Sequence, residues 1–323
     1  MNVHAAWTVA RAADAAAPIT LRFDADRTEW DALEARAPFP HLPQNFAYGA
    51  GRAATGWRLR RTVFEQGGRS VAYAAVLEKR AGGLRVLTRV NRGPILLDAA
   101  PRPETIRAIY AALRRRWRGP LLIAPALPRD EANDAALRQA GFSIRQRQGW
   151  QSARIDLTRG EDEIWAGFAS TFRNRYRQAV KAGAQLRIAD DAGTFEWMIE
   201  RHLANMREKQ FSGPGPALLR GLRATAPENV LVFQLIDGDE PVAGMSVVRF
   251  GTHAEYHIGW FGEDGRRLNA GNFLMWEIIK EMKRRGVATY DLGGMRPGDG
   301  YTRFKETMRP VPFILVGEWM SVW

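Results

Sequence analysis

Hydrophobic and polar positions along the first half of the chain predict both strands and amphipathic helices. Alternation over Arg58–Phe64, the turn 66–68 and renewed alternation over Ser70–Leu77 predict a β-hairpin. The other predicted elements are strands at Ile19–Phe23, Leu84–Thr88, Ile95–Leu97 and Leu121–Ala124, and helices at Asp26–Ala37, Pro103–Trp117 and Asp130–Ala140.

The second half repeats this pattern. It opens with a long predicted helix over Gly160–Ala182, and Val230–Ile236, the turn 237–239 and Val242–Phe250 predict a second hairpin. The other predicted elements are helices at Thr194–Lys209, Pro216–Thr225 and Asn272–Arg285, and strands at Ala254–Trp260, Thr289–Leu292 and Phe313–Trp319.

The two hairpins share one plan, in which an apolar strand, a polar glycine turn, a Val-Ala pair and an alternating strand follow one another. Thr62–Ala74 corresponds in this way to Val232–Gly244, a period of roughly 170 residues. A chain of 323 residues is also long enough for two domains. We therefore expect an α+β, mixed α/β fold with one domain over residues 1–152 and a second over 153–312.

Composition excludes several classes of chemistry. The chain has no cysteine, which rules out disulfides, zinc–thiolate sites, iron–sulfur clusters and thiol nucleophiles. It has no G-x-S-x-G, H-E-x-x-H or P-loop motif, and no carboxylate pair accompanies His253 and His257. We therefore expect neither a covalent nucleophile nor a metal site.

Targeting signals are also missing from the sequence. Residues 1–18 lack the apolar run of a signal peptide, and no run approaches the length of a membrane-spanning helix. We expect a loosely ordered lead-in over these residues and a cytoplasmic location.

Basic residues exceed acidic ones, 47 to 35, giving a net charge of +12, and only six of the 47 are lysines. The excess favours an anionic partner such as a nucleic acid, a phosphorylated metabolite or an acidic membrane surface, or it reflects arginine-rich coding alone. Arg173, Arg177 and Lys181 lie one turn apart on the predicted long helix. This stripe fits either a phosphate backbone or a solvated helix face.

The segment 262–272 follows a strand and opens a helix, which is the setting of an anion site. An ordinary helix N-cap at Asn269 or Asn272 explains it equally well. In the GNAT acetyltransferases this position carries an arginine-and-glycine loop for the pyrophosphate of acetyl-CoA. The corresponding stretch here, 267–272, keeps one glycine, so it resembles the GNAT arrangement but argues against CoA.

Several segments in order resemble the FemABX family of aminoacyl-tRNA-dependent peptidyltransferases, which build peptidoglycan cross-bridges. The Asp291-Leu-Gly-Gly-Met block followed by Tyr301-Thr-Arg-Phe-Lys-Glu is the most specific of them. The other matching segments are Phe172–Ala184, Glu255–Trp260 with the loop from Arg267, Leu274–Lys280, Gln44-Asn-Phe46, Gly56-Trp57 and Arg92-Gly-Pro94. The resemblance covers about residues 40–320.

The resemblance implies two tandem GNAT-like acyltransferase domains without the coiled-coil arm of some members, and a C-terminal strand, 313–323, that joins the first domain. It implies transfer of an amino acid from aminoacyl-tRNA to an amine of a peptide acceptor, with a peptidoglycan precursor stem peptide as the first expectation. Tailoring of a small peptide natural product and CoA-dependent N-acyl transfer are the alternatives. Aminoacyl-tRNA is then a co-substrate, no resident cofactor is expected, and the protein is expected to be a monomer that touches a membrane only if its acceptor is lipid-linked.

The resemblance also assigns residues to roles. Lys305 and Phe304 are the expected catalytic pair, with the lysine stabilising the oxyanion of a tetrahedral transition state. Substrate contacts are expected from Asn45, Arg52, Arg207, Lys209, Tyr256, Tyr301 and Arg303, and tRNA contacts from Arg173, Arg177 and Lys181. Asp291 and Glu306 are near enough in sequence to act as a base, although Asp291 equally well braces the glycine turn, and the substrate itself is an equally good proton acceptor.

Overall fold

Two mixed β-sheets organise the computed structural model, which describes residues 17–322. The lead-in predicted for residues 1–18 therefore lies almost wholly outside the described residues. Clustering of backbone contacts separates two units. The first runs to Trp150 and also takes in the chain from Ile314 onwards, and the second is Gln151–Phe313.

The first unit is built on an eight-stranded sheet. Its strands are β1 (Thr20–Phe23), β2 (Arg58–Gln66), β3 (Arg69–Ala81), β4 (Leu84–Asn91), β5 (Ile95–Leu96), β6 (Leu121–Ala124), β7 (Ser143–Gln146) and, from the end of the chain, β15 (Glu318–Ser321). Its helices are α1 (Arg27–Arg36), α2 (Phe46–Ala53), α3 (Pro103–Arg116) and α4 (Glu131–Gln139), with a 3₁₀ turn at Leu42–Gln44.

The second unit is built on a seven-stranded sheet. Its strands are β8 (Gln151–Asp156), β9 (Gln185–Ala189), β10 (Val230–Asp237), β11 (Glu240–Phe250), β12 (His253–Phe261), β13 (Thr289–Asp291) and β14 (Val311–Ile314). Its helices are α5 (Glu161–Gly167), α6 (Ser170–Lys181), α7 (Ala192–Glu208), α8 (Pro216–Thr225), α9 (Glu263–Arg267), α10 (Ala270–Arg284) and α11 (Gly300–Glu306), with a 3₁₀ turn at Pro227–Asn229.

Both sheets follow one topology. The first has the order β1-β2-β3-β4-β6-β15-β7, with β5 beside β3, and the second has the order β9-β10-β11-β12-β13-β8-β14. Each contains a parallel pair at the same place, β4 with β6 and β12 with β13. The two predicted hairpins are β2–β3 and β10–β11, so both are confirmed, and they occupy corresponding positions.

Side-chain alternation on β3 shows how the first sheet is covered on both faces. Ala72, Ala74 and Val76 belong to the core formed with α3 and α4, whereas Tyr73 and Ala75 belong to the core around α1. Successive strand residues point to opposite faces, so a run of buried residues predicts two layers of cover. The predicted α+β fold is therefore confirmed.

The second sheet has its largest core on the face covered by α6 and α10. Apolar side chains of β10 and β11 pack there against Phe172 and Ala179 of α6 and against the buried face of α10. Helix α7 packs against β10, β11 and β12. At their carboxyl ends, β12 leads into α9 and α10, and β13 leads into α11.

The single helix predicted over 160–182 is wrong, because the chain breaks between α5 and α6. Phe168 and Ala169 have extended backbones, and Phe168 is buried in an aromatic cluster with Trp165, Phe172 and Trp276. The Ala169 N–H donates to the Thr307 carbonyl at 2.8 Å instead of to its own helix. Long-range packing has overridden a continuous helical pattern.

The predicted strand Phe313–Trp319 is also wrong as one element. It is divided between β14, beside β8 in the second sheet, and β15, which lies between β6 and β7 in the first. Gly317, at φ +98°, provides the turn between them. Of the two asparagines predicted as N-caps, Asn269 takes the N-cap position of α10, in a left-handed conformation and without a side-chain hydrogen bond to the helix, and Asn272 lies inside the helix.

Candidate functional site

The parallel strands β12 and β13 separate after three paired residues. Glu255 is paired with Asp291 at the end of this ladder. Beyond that point β12 continues along β11 to Phe261, whereas the chain after β13 follows β8, through Leu292 N–H to Ala153 O at 2.9 Å. The separation opens a gap at the carboxyl end of the parallel pair, where the ligand sites of such sheets are usually found.

Lys305 reaches this gap from α11. The helix begins after Asp299, whose carboxylate accepts from the Tyr301 N–H at 3.0 Å, a standard N-cap. The Lys305 side chain is only 1% exposed, and its Nζ donates to the carbonyl oxygens of Gly293 at 3.1 Å and Gly294 at 2.8 Å. A buried lysine is rare unless partnered, so both carbonyls are part of what holds the ammonium here.

Aromatic rings surround the same ammonium. Nζ lies 4.5 Å from the ring centroid of Tyr301 and 5.4 Å from that of Tyr256. Phe304 stacks on Tyr301 and on Phe172, with centroids 5.9 and 6.1 Å away. The rings stabilise a cation through their negative faces while excluding water from it.

Asp291 fixes the glycine turn that holds Lys305. Its Oδ1 accepts from the Gly293 N–H at 2.9 Å and from the Ser152 hydroxyl, and its Oδ2 lies 3.4 Å from the Arg154 Nε. Ser152 Oγ is also 2.8 Å from the Gly293 carbonyl oxygen. The carboxylate therefore holds the start of the glycine turn, and the Met295 N–H, which donates to the Gln151 carbonyl at 2.8 Å, holds its end, so that the carbonyls of Gly293 and Gly294 face the ammonium.

Burial lowers the pKa of Lys305 from 10.5 to about 8, and the charges of Asp291, Glu255 and Asp299 oppose that shift. Burial likewise raises the pKa of Tyr256 to about 12 and that of Tyr301 well above its usual value, so both phenols stay protonated near neutral pH. Burial also lowers the pKa of the neighbouring His253 to about 4.

Gly293 is required by this geometry. Its φ is +72°, and a Cβ there would lie 2.9 Å from the carbonyl oxygen of Tyr256. Only glycine adopts this conformation without strain and allows β12 to approach so closely. Gly294 contributes its backbone carbonyl to Lys305, a group that any residue at this position has.

Four of the predicted site residues therefore meet at one place, namely Tyr256, Tyr301, Phe304 and Lys305. Arg303 is exposed on the same helix, and its Nη1 donates to the Gly298 carbonyl at 3.2 Å. Arg207 and Lys209 are exposed at the carboxyl end of α7. Their predicted role in substrate binding stays a prediction.

The predicted basic stripe is altered by the break between α5 and α6. Arg173 is half-buried, and its guanidinium donates to the carbonyl oxygens of Ala166 at 2.7 Å and Phe168 at 2.9 Å. It thus satisfies the end of α5, which the break leaves without helical partners. Arg177 and Lys181 remain exposed, so the surface available to an RNA is shorter than the sequence pattern indicated.

Two predicted residues belong to the first unit, and both have structural partners. Asn45 is buried, accepts from the Ala47 and Tyr48 N–H groups as the N-cap of α2, and donates to Glu34 at 3.1 Å. Arg52 lies 5.7 Å from the Trp57 ring centroid. The helix cap explains why asparagine is present at position 45, and substrate contact by either side chain stays a prediction.

Sequence reasoning missed Ser152 and Arg154, and it did not identify α11 as a helix. Asp299 followed by glycine and a polar-aromatic run is a helix-start signal that identifies α11. No local signal identifies Ser152, because its role depends on a partner 139 residues away in the sequence.

The segment 262–272 is partly helical instead of an open loop. Helix α9 occupies its first half, and Arg267 pairs with Asp264 at 3.1 Å and lies 3.6 Å from Asp237. Leu268 is buried in the core. The segment therefore presents two acidic residues, Glu263 and Asp264, in its first turn, and its arginine is already paired.

The family described as acetyltransferase (GNAT) domain matches residues 166–306. A crystal structure of FemX superposes with a TM-score of 0.78 at 15% identity, covering 94% of this chain and 97% of that one. The chain has the fold of a FemABX protein.

Two other solved structures also resemble the chain in fold. A tandem GNAT protein from the clavulanic acid biosynthesis pathway matches with a TM-score of 0.54 at 15% identity, over 94% of this chain and 98% of that one. The C-terminal domain of a putative lysylphosphatidylglycerol synthetase from Agrobacterium fabrum matches with a TM-score of 0.53 at 14% identity, over 91% and 92%. No curated protein sequence matches the chain.

These findings confirm the tandem GNAT-like architecture and place an acyltransferase domain in the second half, around Lys305. Within residues 17–322, no helix is both long enough and apolar enough to cross a membrane. The same residues contain no group of three histidine or carboxylate side chains arranged to hold a metal ion.

Proposed function

We propose that this protein is an aminoacyl-tRNA-dependent aminoacyltransferase. It moves an amino acid from the ester of aminoacyl-tRNA to an amine of a peptide acceptor and forms an amide. The buried Lys305 ammonium, held at the separation of β12 and β13, carries this proposal.

The ester is already activated, so the reaction needs a positioned cation and no enzyme nucleophile. An ammonium has three N–H groups, and the carbonyls of Gly293 and Gly294 use two of them in the part of the chain that the structure describes. The third is left to donate to the ester carbonyl oxygen, which becomes an oxyanion in the tetrahedral transition state. One such donor contributes about 3 kcal/mol to the activation free energy.

The bond changes balance without an external reagent. The acceptor amine attacks the ester carbonyl carbon, a C–N bond forms, and the C–O bond to the terminal ribose of the tRNA breaks. The amine proton passes to the departing ribose oxygen through the substrate. Both oxygens of Asp291 are already engaged with Gly293, Ser152 and Arg154, which makes this carboxylate a positioning group and not the base.

CoA-dependent acyl transfer is the competing function, because CoA is the usual donor of GNAT domains. A CoA diphosphate needs unpaired N–H groups and a cation at the start of α10. Here the segment before α10 carries the acidic Glu263 and Asp264, and its Arg267 is paired with Asp264. The segment therefore supports aminoacyl-tRNA as the donor.

The acceptor is proposed to be a peptidoglycan precursor stem peptide, carried on a nucleotide sugar or in lipid-linked form. The exposed Arg207 and Lys209 fit the diphosphate of such an acceptor. A small peptide natural product is the alternative acceptor, and the same Lys305 chemistry serves both.

Incubation of the full chain with mixed charged tRNAs and either acceptor, read by mass shift, tests the proposal. We expect one aminoacyl mass added to a peptide acceptor, with loss of the charged tRNA. A parallel reaction with acetyl-CoA and no tRNA is the control. Acetylation at full rate in that control, together with no aminoacyl transfer, contradicts the proposal.

A further inference from the structure

The tip of the β3–β4 hairpin carries an exposed apolar pair. Leu84 is 74% exposed, more than any other large hydrophobic side chain in the described residues, and Val86 is 45% exposed. The two lie two residues apart on β4, and the register shift between Lys79 and Arg80 leaves Val86 without a paired residue on β3. Their cross-strand neighbours at the tip are small, since Ala81 is opposite Leu84 and Gly82 and Gly83 form the turn.

Basic side chains lie on the same hairpin and on the segment that it contacts. Arg80 and Arg85 are directly opposite each other on the hairpin. The carboxyl end of α3 adds Arg115 and Arg118, both exposed, and the Arg85 side chain donates to the Arg118 carbonyl, which joins the two segments. We call Leu84, Val86, Arg80, Arg85, Arg115 and Arg118 the basic hairpin surface.

Few acidic groups balance this charge. Residues 79–97 and 105–129 contain no aspartate or glutamate. Glu78, next to the tip, has its carboxylate bound to Trp117 Nε1 at 2.8 Å and lies 3.6 Å from Arg80. Like charges directly opposite on paired strands repel, and Arg80 and Arg85 are held in this pairing by carbonyl groups, Arg80 donating to Gly83 at 3.1 and 2.6 Å and Arg85 to Arg118. An anionic partner would offset this repulsion.

We propose that the basic hairpin surface docks the protein on an anionic lipid bilayer, with Leu84 and Val86 inserted among the headgroups and the arginines on the lipid phosphates. Each basic group near such a surface adds favourable electrostatic energy, and an exposed apolar tip gains by leaving water. This inference is independent of the proposed function, because it concerns the first unit only, whereas Lys305 belongs to the second.

The apolar pair is what favours a bilayer over RNA. An RNA backbone takes up arginines but gives aliphatic side chains nothing to pack on, and RNA-binding surfaces use aromatic rings for stacking. Residues 79–89 contain no aromatic side chain. A lipid surface satisfies both components of the hairpin together.

Co-sedimentation of the full chain with vesicles of phosphatidylglycerol and phosphatidylcholine in equal parts tests this. We expect binding that weakens with sodium chloride and is lost on pure phosphatidylcholine. The double variant Leu84→Ser/Val86→Ser is expected to lower the vesicle affinity about tenfold or more. Val311→Ser is the matched control, because Val311 is 70% exposed in the second unit, and it is expected to bind as the unchanged protein does.

The charge component has its own matched pair of variants at the two ends of α3. Arg115→Glu/Arg118→Glu at the carboxyl end of α3 is expected to lower vesicle affinity at least about tenfold, whereas Arg102→Glu/Arg107→Glu near its other end is expected to change it little. All four arginines are exposed, so folding is expected to be unaffected, which thermal unfolding checks.

Two outcomes overturn the proposal. One is the absence of vesicle binding by the unchanged protein at low salt. The other is a pair of results: Leu84→Ser/Val86→Ser leaves vesicle binding unchanged, and Arg115→Glu/Arg118→Glu weakens binding of uncharged tRNA. That pair would assign the surface to RNA.

Discussion

The helices α4 and α11 occupy corresponding places in the two sheets, and they bury opposite kinds of side chain. Leu137 stands six residues before β7, and Lys305 stands six residues before β14. Leu137 is fully buried in an apolar core, whereas Lys305 is buried against two carbonyls and two phenol rings. One topology thus supports a purely structural helix in one unit and a charged site in the other.

The strands next to these helices differ in the same way. At the end of the parallel ladder the first unit pairs Asn91 with Ala124, and the second pairs Glu255 with Asp291. Burying a cation is costly unless charges and hydrogen bonds surround it. The second unit therefore supplies carboxylates, carbonyls and glycines around Lys305. The first unit has no buried cation at this place, and Ala124 and Leu137 stand at the corresponding positions.

Placing a lysine in the first unit is expected to have the largest effect. Leu137→Lys introduces a buried ammonium with no carbonyl pair to receive it, so we expect the free energy of unfolding to fall by about 3–5 kcal/mol. Urea unfolding measures this, and Leu137→Met, expected to cost less than about 1.5 kcal/mol, is the control. A stable Leu137→Lys protein would mean that the two units tolerate charge equally.

Removing the lysine from the second unit is expected to lower activity more than stability. Lys305→Ala, and the better space-filling Lys305→Met, are expected to reduce turnover by about 10²–10³-fold, because the oxyanion loses its donor. Initial rates of aminoacyl transfer measure this. Turnover close to that of the unchanged protein in Lys305→Met, with the fold intact, would show that Lys305 is structural.

The lowered pKa of Lys305 predicts a pH dependence of opposite sign for activity and stability. Activity needs the ammonium, so the rate is expected to fall as pH rises through about 8. Between about 8 and 10.5 the unfolded chain binds more protons at this group than the folded one, so folding is stabilised as pH rises, by up to about 3 kcal/mol. The free energy of unfolding relative to Lys305→Met, followed across this range, checks the sign; a difference that stays flat contradicts it.

Asp291→Asn is expected to have a smaller effect with a distinctive signature. The glycine turn keeps an acceptor for Gly293, but Lys305 loses the carboxylate charge that does most to oppose the fall of its pKa, which lowers that pKa further. We expect turnover to fall by about tenfold and the alkaline limb of the rate profile to move to lower pH. An unchanged limb would assign Asp291 to the fold alone.

The glycine turn provides the smallest contrast. Gly293 and Gly68 have nearly equal φ values, +72° and +75°, but a Cβ would meet Tyr256 at Gly293 and nothing within 4 Å at Gly68. Alanine at either site costs about 1 kcal/mol through its conformation, and Gly293→Ala is expected to cost about 1 kcal/mol more through contact. If thermal unfolding shows the same loss of stability for both alanine variants, close packing against Tyr256 does not explain the glycine at 293.

Local pattern was sufficient for much of this protein. The alternation of 58–77 and 230–250 determines both hairpins, because strand periodicity and glycine turns are short-range properties. The rarity of lysine and the Asp-x-Gly-Gly block, through a family resemblance, identified Lys305 and its aromatic neighbours in advance. The block and Lys305 both lie within residues 291–305, whereas Tyr256 was predicted from the separate matching segment 255–260.

Only the tertiary structure decided the rest. The break at Phe168 follows from an aromatic cluster and a hydrogen bond to Thr307, and Arg173 is drawn into it. Ser152 meets Asp291 across 139 residues of sequence. Such contacts depend on which strands and helices become neighbours. The hydrophobic periodicity of a segment reports only its own local structure, so it does not predict the energy of a contact with a distant segment.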